Sequence, residues 1–225
     1  MRIGRAALAA TSGRRIGLLG GSFNPAHEGH LHISLLALER LGLDELWWVV
    51  SPLNPLKSAG EVAPLAERLE GARRMARHPA IRVTDIEAQL GTRYTVDTLA
   101  ALRRHFPRAR FVWIMGADIM PQLPRWKRWR EIFRLVPIAV FGRAPYSSRA
   151  LAAMAARAFA GNRLHTRDAR TLADRTPPAW IFFHTRLHPA SATSIRAAAA
   201  SLPPARPRRS KSRPTGGRRR LNQHS

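Results

Sequence analysis

Short apolar runs alternate with amphipathic stretches through most of this chain. Strands that are apolar on both faces and are followed by amphipathic helices are typical of a parallel sheet covered by helices. The order predicts an α/β fold with a doubly wound, Rossmann-like sheet and helices on both faces. From Tyr146 the pattern is less regular, with an alanine-rich helix and a polar stretch. The predicted strands are 16–20, 45–50, 81–86, 111–115, 136–141 and 180–183, and the predicted helices are 29–41, 65–77, 96–105 and 193–200.

The length of 225 residues fits one such domain, which we place at 15–203. Residues 1–14 are interpreted as a flexible N-terminal extension. Residues 204–225 are interpreted as a disordered tail, because they carry eight basic residues among Pro, Ser and Gly and no acid. The chain has no cysteine, which excludes disulfides and thiolate metal sites.

The formal net charge of +24 falls to +16 when those eight tail residues are removed. A charge of this size attracts polyanionic ligands without naming one, and it leaves nucleic acid open as a partner of the tail alone. No apolar run reaches the roughly 18 residues that cross a bilayer, and the apolar patch at 6–10 is short for a signal peptide. We therefore expect a cytoplasmic protein without a membrane partner. The sequence leaves a homo-oligomer open.

The segment 20–30, GGSFNPAHEGH, joins the first predicted strand to a helix. Its glycines allow close approach of a ligand, and the helix start offers amide N–H groups and a positive dipole end, all of which suit phosphate. His27 and His30 are three residues apart and should face one pocket, where phosphate would favour the imidazolium form. A zinc site is the less favoured interpretation, because H-E-G-H is one residue shorter than H-E-x-x-H. A glycine turn beside two surface histidines is the other alternative.

This segment resembles the H-x-G-H motif of the nucleotidyltransferase superfamily, in the form found in nicotinate-nucleotide adenylyltransferases. The resemblance implies that ATP binds against the loop and that His27 and His30 contact its phosphates as catalytic residues. It also implies that Asn24 contacts the mononucleotide. The ATP-binding residues so implied in this loop are Gly20, Gly21, Ser22, Phe23, His27 and His30.

Three further segments are similar to motifs of the same family. Lys57, in a loop with two prolines, corresponds to a lysine near the substrate phosphate. Tyr94 and Thr95, at the start of a helix, are assigned by resemblance to the pyridine pocket, although Thr95 could equally be an N-cap. In the segment that begins Gly116-Ala117-Asp118, the resemblance implies that Asp118 binds ribose and that Trp126 stacks on the pyridine ring, while Trp129 is assigned to the core.

A last segment, Ser191-Ala192-Thr193-Ser194-Ile195-Arg196, resembles the family's S-S-T-x-I-R motif. Ser191, Thr193 and Arg196 are implied to form a second phosphate site, with Arg196 as a catalytic residue. Ala192 departs from the motif and removes one hydroxyl donor.

The resemblance covers about residues 15–199 and implies adenylyl transfer from ATP to nicotinate mononucleotide, with Mg²⁺ bound to the ATP. The products would be nicotinate adenine dinucleotide and pyrophosphate, in NAD biosynthesis. One alternative is a related transferase that uses nicotinamide mononucleotide or phosphopantetheine. The other is a basic nucleic-acid-binding protein without catalysis.

Overall fold

A computed structural model describes residues 10–52, 62–142 and 146–185 of the chain. Within those ranges six parallel strands form one sheet in the order β3-β2-β1-β4-β5-β6. Along the chain, β2 and β3 are added on one side of β1, and β4, β5 and β6 are added on its other side. The switch point therefore lies between the central strands β1 and β4. The strands are β1 Arg15–Gly21, β2 Glu45–Val50, β3 Ile81–Thr84, β4 Arg110–Gly116, β5 Ile138–Gly142 and β6 Trp180–His184.

Helices connect the strands of this sheet. Three short 3₁₀ turns and one longer 3₁₀ segment accompany the α-helices in the described ranges. The α-helices are α1 Glu28–Leu41, α2 Leu65–Met75, α3 Ile86–Leu90, α4 Thr95–His105, α5 Trp129–Leu135, α6 Tyr146–Leu151 and α7 Met154–Ala158. The 3₁₀ segments are Ala117–Ile119, Leu123–Arg125, Ala160–Asn162 and Thr166–Asp174.

Two apolar clusters cover the two faces of the sheet. One contains Leu99 of α4 and Phe133 of α5 against side chains such as Trp47 of β2. The other contains Leu41 of α1 and Leu172 of the segment Thr166–Asp174. Five of the strands therefore bury both faces, which explains why they are apolar without alternation, whereas β3 exposes Arg82. The predicted doubly wound α/β fold is confirmed.

The end of the third strand was predicted wrongly. The apolar pattern 81–86 predicts one strand, but β3 ends at Thr84 and Ile86 begins the helix α3. The Thr84 hydroxyl accepts a hydrogen bond from the Ile86 amide at 3.1 Å, which turns the chain. Ile86 is nevertheless buried in the core, so its apolar character reflects helix packing and not strand pairing.

The C-terminal part of the described chain also differs from the sequence interpretation. The alanine-rich region forms two short helices, α6 and α7, because Ala153 takes an extended conformation between them. The polar stretch contains the 3₁₀ segment Thr166–Asp174, whose Ala169 and Leu172 are buried. The predicted helix 193–200 lies outside the described residues.

Part of the predicted N-terminal extension contacts the domain. Thr11 is buried, and the Gly13 amide donates to the carbonyl of Arg108 at 2.9 Å. The predicted domain limits stay predictions. In the described ranges, no helix combines the length and the apolar character that crossing a bilayer requires.

Candidate active site

The sequence-predicted site lies at the carboxyl ends of the central strands. β1 ends at Gly21 and leads into the loop 22–27, which ends at α1, and β4 ends at Gly116 and leads into the 3₁₀ turn Ala117–Ile119. Ligands of doubly wound sheets bind at this edge, beside the switch point. The topology therefore brings the GGSFNPAHEGH segment and the Gly116-Ala117-Asp118 segment to neighbouring strands.

His27 and His30 form the start of α1 together. The Nδ1 atom of His27 accepts a hydrogen bond from the Gly29 amide at 3.1 Å, and Nδ1 of His30 accepts one from the His27 amide at 3.2 Å. The two ring centroids are 3.9 Å apart. This reciprocal capping satisfies helix-start amides and fixes both rings, as in a capping box. The two histidines thus lie side by side at the helix start, and the prediction that they face one pocket stays a prediction.

The same hydrogen bonds decide the protonation state of the rings. A nitrogen that accepts a hydrogen bond carries no proton, so each neutral ring holds its proton on Nε2 and can donate it to a ligand. Burial, and secondarily the nearby His27, lower the pKa of His30 to about 3. Desolvation thus disfavours the charged His30 ring, and the expectation that a nearby phosphate favours the imidazolium stays a prediction.

Phe23 packs against the His30 ring of this pair. It has a positive φ of 47°, which is strained for a bulky residue, and its side chain is buried. Its ring packs on His30 at 4.6 Å and stacks on Trp48 at 5.0 Å between centroids. The Phe23 side chain thus contributes by holding the His30 ring. Contact of ATP with Phe23 would be through the main chain.

One glycine of the site is required by packing. A Cβ on Gly20 would overlap the indole of Trp113 in β4, so this glycine permits β1 to lie against that ring. A Cβ on Gly116 would meet only the carboxylate of Asp118, an exposed side chain that can move away. We expected Gly20 to allow close approach of a ligand, and its contact with Trp113 is a further reason for a glycine there.

Arg68, in α2, connects the phosphate loop to its surroundings and was missed by sequence reasoning. Its guanidinium is buried and donates to main-chain carbonyls, including that of Ser22 in the loop. An arginine in an amphipathic helix is ordinarily interpreted as solvent-facing. Its spacing in α2, between residues that pack on the sheet, is the one signal that could have identified it.

The residues predicted to form the pyridine pocket lie at the start of α4 and in the segment before α5. Tyr94 is the N-cap residue of α4 and Thr95 is its first helical residue, so the N-cap alternative for Thr95 is wrong by one position. The first-turn amides of a helix have no partner within the helix and can bind a carboxylate. Lys127 Nζ lies 4.6 Å from the Tyr94 ring centroid and 3.0 Å from Asp97 Oδ2.

Trp126 and Trp129 have different environments. Trp129 is buried and meets Phe133 and Phe159 edge to face, which confirms its assignment to the core. Trp126 is half-buried at the edge of the same cluster, and Asp118 is exposed. The environment of Trp126 is consistent with the predicted stacking role, which stays a prediction.

A buried carboxylate, Glu87 of α3, lies between the end of β2 and α4. Its Oε1 accepts from the Thr98 hydroxyl at 3.1 Å, and that hydroxyl is 2.9 Å from the Thr92 hydroxyl. Burial raises the pKa of Glu87, and the Thr98 and Ser51 side chains oppose the rise. Among the described residues none completes a hydrogen bond with Oε2, although the Ser51 hydroxyl is near enough to affect the pKa.

Several predicted residues lie outside the described ranges, namely Lys57, Ser191, Thr193 and Arg196. Asn24 is described: its Oδ1 accepts a hydrogen bond from the Ala63 amide at 3.4 Å. The described ranges hold no group of three or more His, Cys, Asp or Glu side chains that could bind a metal ion.

Comparison with known proteins places this geometry in a family. The cytidylyltransferase-like family model matches residues 18–198. A protein of Parvibaculum lavamentivorans named "Probable nicotinate-nucleotide adenylyltransferase" is 55% identical over 186 residues, which are 83% of this chain and 92% of that protein. The chain belongs to this adenylyltransferase family. A similarly named protein of Ruegeria pomeroyi is 51% identical and matches 84% of this chain and 88% of that protein.

A solved structure supports the family's fold. The Plasmodium falciparum nicotinic acid mononucleotide adenylyltransferase complexed with NaAD superposes with a TM-score of 0.61 at 14% identity. The match covers 82% of this chain and 83% of that one. The sequence prediction of an adenylyltransferase of NAD biosynthesis is therefore confirmed at the level of family, fold and enzyme class.

Proposed function

We propose that this chain transfers the adenylyl group of ATP to nicotinate mononucleotide and releases pyrophosphate. The observation that carries the proposal is the pair of histidine rings fixed by reciprocal capping at the start of α1, beside the switch point of the sheet. Such an arrangement offers two neighbouring Nε2–H donors and the positive end of the helix dipole to one anion. The triphosphate of ATP has enough oxygens to accept from both donors.

The reaction requires alignment more than proton transfer. An oxygen of the mononucleotide phosphate attacks the α-phosphorus of ATP, that bond forms as the bond to pyrophosphate breaks, and the attacking oxygen is already ionised. Catalysis then depends on positioning and on stabilising charge. His27 and His30 donate from Nε2 to the phosphates, and Arg196 adds a positive charge. Mg²⁺ enters as the partner of ATP and neutralises part of its charge.

The mononucleotide lies beside ATP, between the loop after β1 and the segment after β4. Asn24 and Lys57 contact its phosphate region, Asp118 accepts from its ribose, and the ring lies against Trp126. The ring carboxylate accepts hydrogen bonds at the start of α4, near Tyr94 and Thr95. Asn24 supports this assignment because it lies in the same loop as the histidines. Gly20, Gly21, Ser22 and Phe23 contact ATP through the main chain, and Ser191 and Thr193 add hydroxyl donors.

Pyrophosphate release tests both the reaction and the acceptor. The purified protein is incubated with ATP, Mg²⁺ and either nicotinate or nicotinamide mononucleotide. We expect fast release with the nicotinate compound. Faster release with nicotinamide mononucleotide would identify that compound as the preferred acceptor. No release with either mononucleotide would refute the proposal.

A histidine substitution tests the site itself. His30→Ala removes one phosphate donor and should lower kcat by about 10² to 10³. The matched control is His32→Ala, two residues further along α1 and outside the capping pair. Near-normal transfer by folded His30→Ala would remove His30 from the site.

A further inference from the structure

Arg68 joins four carbonyl groups from three separate segments. Its Nη1 donates to the carbonyls of Ser22 and Ser51, each at 2.7 Å, and Nη2 donates to that of Pro52 at 2.9 Å. Its Nε donates to the carbonyl of Ala63 at 2.7 Å. One guanidinium thus connects the loop after β1, the end of β2 and the approach to α2.

Burying this cation costs solvation free energy, a loss that an apolar side chain in the same place would not have. Arg68 is only 4% exposed, and within the described ranges no carboxylate lies within ion-pair distance of it. Burial lowers its pKa. A buried charge is tolerated only when its donors are satisfied, and the planar fork of arginine matches carbonyls in several directions. An apolar side chain would fill the space but would not hold the carbonyls.

The connected segments contain residues of both proposed substrate sites. Ser22 belongs to the loop that presents His27 to ATP. Asn24, on the mononucleotide side, accepts from the Ala63 amide, and Arg68 binds the carbonyl of Ala63. The end of β2 is tied to the same point, because the Ser51 amide donates to the Gly21 carbonyl at 2.9 Å.

We propose that Arg68 is a positioning residue for adenylyl transfer: by fixing Ser22 and Ala63 relative to the end of β2, it sets the alignment of the two substrates. The inference rests on the proposed function. It predicts that loss of Arg68 impairs the transfer step more than the binding of either substrate alone, because a displacement of about 1 Å between reacting groups can cost 100-fold in rate.

Arg68→Lys is the informative variant. Lysine keeps the charge and can donate to some of the carbonyls. A single ammonium group cannot donate to the carbonyls of all three segments at once. We expect kcat to fall about 10- to 100-fold. The Kd of a non-hydrolysable ATP analogue and the Kd of nicotinate mononucleotide, each measured alone by calorimetry, should stay near the wild-type values.

The matched control is Arg73→Lys, an exposed position of the same helix, which should leave kcat unchanged. All proteins are assayed well below their measured Tm, so that a loss of stability does not count as a loss of rate. If Arg68→Lys does not fold, Arg68→Gln replaces it, since a neutral amide leaves no buried ammonium.

The outcomes distinguish failure of the inference about Arg68 from failure of the proposed function. A wild-type kcat in folded Arg68→Lys and Arg68→Gln would overturn the inference and leave a purely structural role. A weakened Kd for one substrate with normal kcat at saturation would also overturn it. An inactive wild-type protein would instead refute the proposed function, on which the inference depends.

Discussion

His30 combines two properties that act in opposite directions. It lies where an anion is expected, yet burial and His27 lower its pKa to about 3. The capping geometry resolves this, because a neutral ring can donate from Nε2 without being protonated at Nδ1. Anion binding here does not require an imidazolium.

The lowered pKa has a consequence for stability. The unfolded histidine binds a proton near pH 6.5 and the folded one near pH 3, so the unfolded state binds more protons between these values. The contribution of the neutral His30 ring to the free energy of unfolding is complete above pH 6.5. It is lost as the pH falls, at up to about 1.4 kcal/mol per pH unit. Urea unfolding at pH 7.5 and pH 5 should show a smaller loss for His30→Gln than for the wild type. Equal losses would contradict the pKa.

Glu87 gives the opposite dependence. Its pKa is raised by burial, so the folded state retains the proton as the pH rises above the ordinary value of 4.5 while the unfolded state loses it. Stability should therefore decline as the pH rises through this window. Glu87→Gln should flatten the decline and unfold at higher urea than the wild type at pH 8. Glu39→Gln, exposed on α1, is the control and should follow the wild type.

At the scale of elements, β1 is packed without room for a side chain at Gly17. A Cβ there would lie 2.6 Å from Ile114 Cδ1 and 2.7 Å from Leu43 Cδ1. Gly17→Ala should therefore lower the free energy of unfolding by about 1–3 kcal/mol through overpacking.

A second glycine provides the control. A Cβ on Gly71, inside α2, meets no atom within 4 Å, so Gly71→Ala should raise stability by about 0.5–1 kcal/mol through helix propensity. Denaturant midpoints of both variants measure the contrast. Stabilisation by Gly17→Ala would show that β1 and β4 are less tightly packed than described.

The start of α4 is held against the segment that carries Trp126. Asp97 pairs with Lys127 and with Arg128, whose Nη2 is 2.6 Å from Oδ1. If Trp126 stacks on the pyridine ring, Trp126→Ala should raise the KM for the mononucleotide more than that for ATP. Steady-state kinetics with each substrate varied decide it. Equal increases would remove Trp126 from the ring pocket.

Local pattern predicted the elements that have a long, repeated signal. β2 was predicted to the residue, because the apolar run Leu46–Val50 follows two acidic residues and is itself followed, after Ser51, by a proline. α3 was missed because a helix from Ile86 to Leu90 is too short to show helical spacing. Its end is marked only by Gly91 in the left-handed conformation.

The residues of the site were predictable to different degrees. His27 and His30 were found because the motif is contiguous in sequence. Arg68 was not, since its partners Ser22 and Ser51 are brought to it only by the fold. The protonation of His30 also depends on burial, which a sequence motif does not contain.

At the scale of the whole molecule, basic residues are densest at one end of the sequence, although a net charge of +16 lies outside that end. Residues 205–225 contribute eight of the basic residues. Each phosphate contact adds about 0.9 to the slope of log affinity against log salt for duplex DNA. Removal of 205–225 should reduce that slope and weaken DNA binding, while adenylyl transfer continues. DNA affinity measured over a salt series tests this, and an unchanged slope would place the DNA contacts in the domain.

The strand order divides the sheet into two halves, β1 to β3 and β4 to β6, that meet only where β1 pairs with β4. The first half supplies the paired histidines and the second supplies Asp118 and Trp126. A dinucleotide product would therefore span the seam and bridge both halves. Because a ligand that binds the folded form and not the unfolded one stabilises the folded form, bound product should raise the Tm of the domain more than either substrate alone at equal saturation.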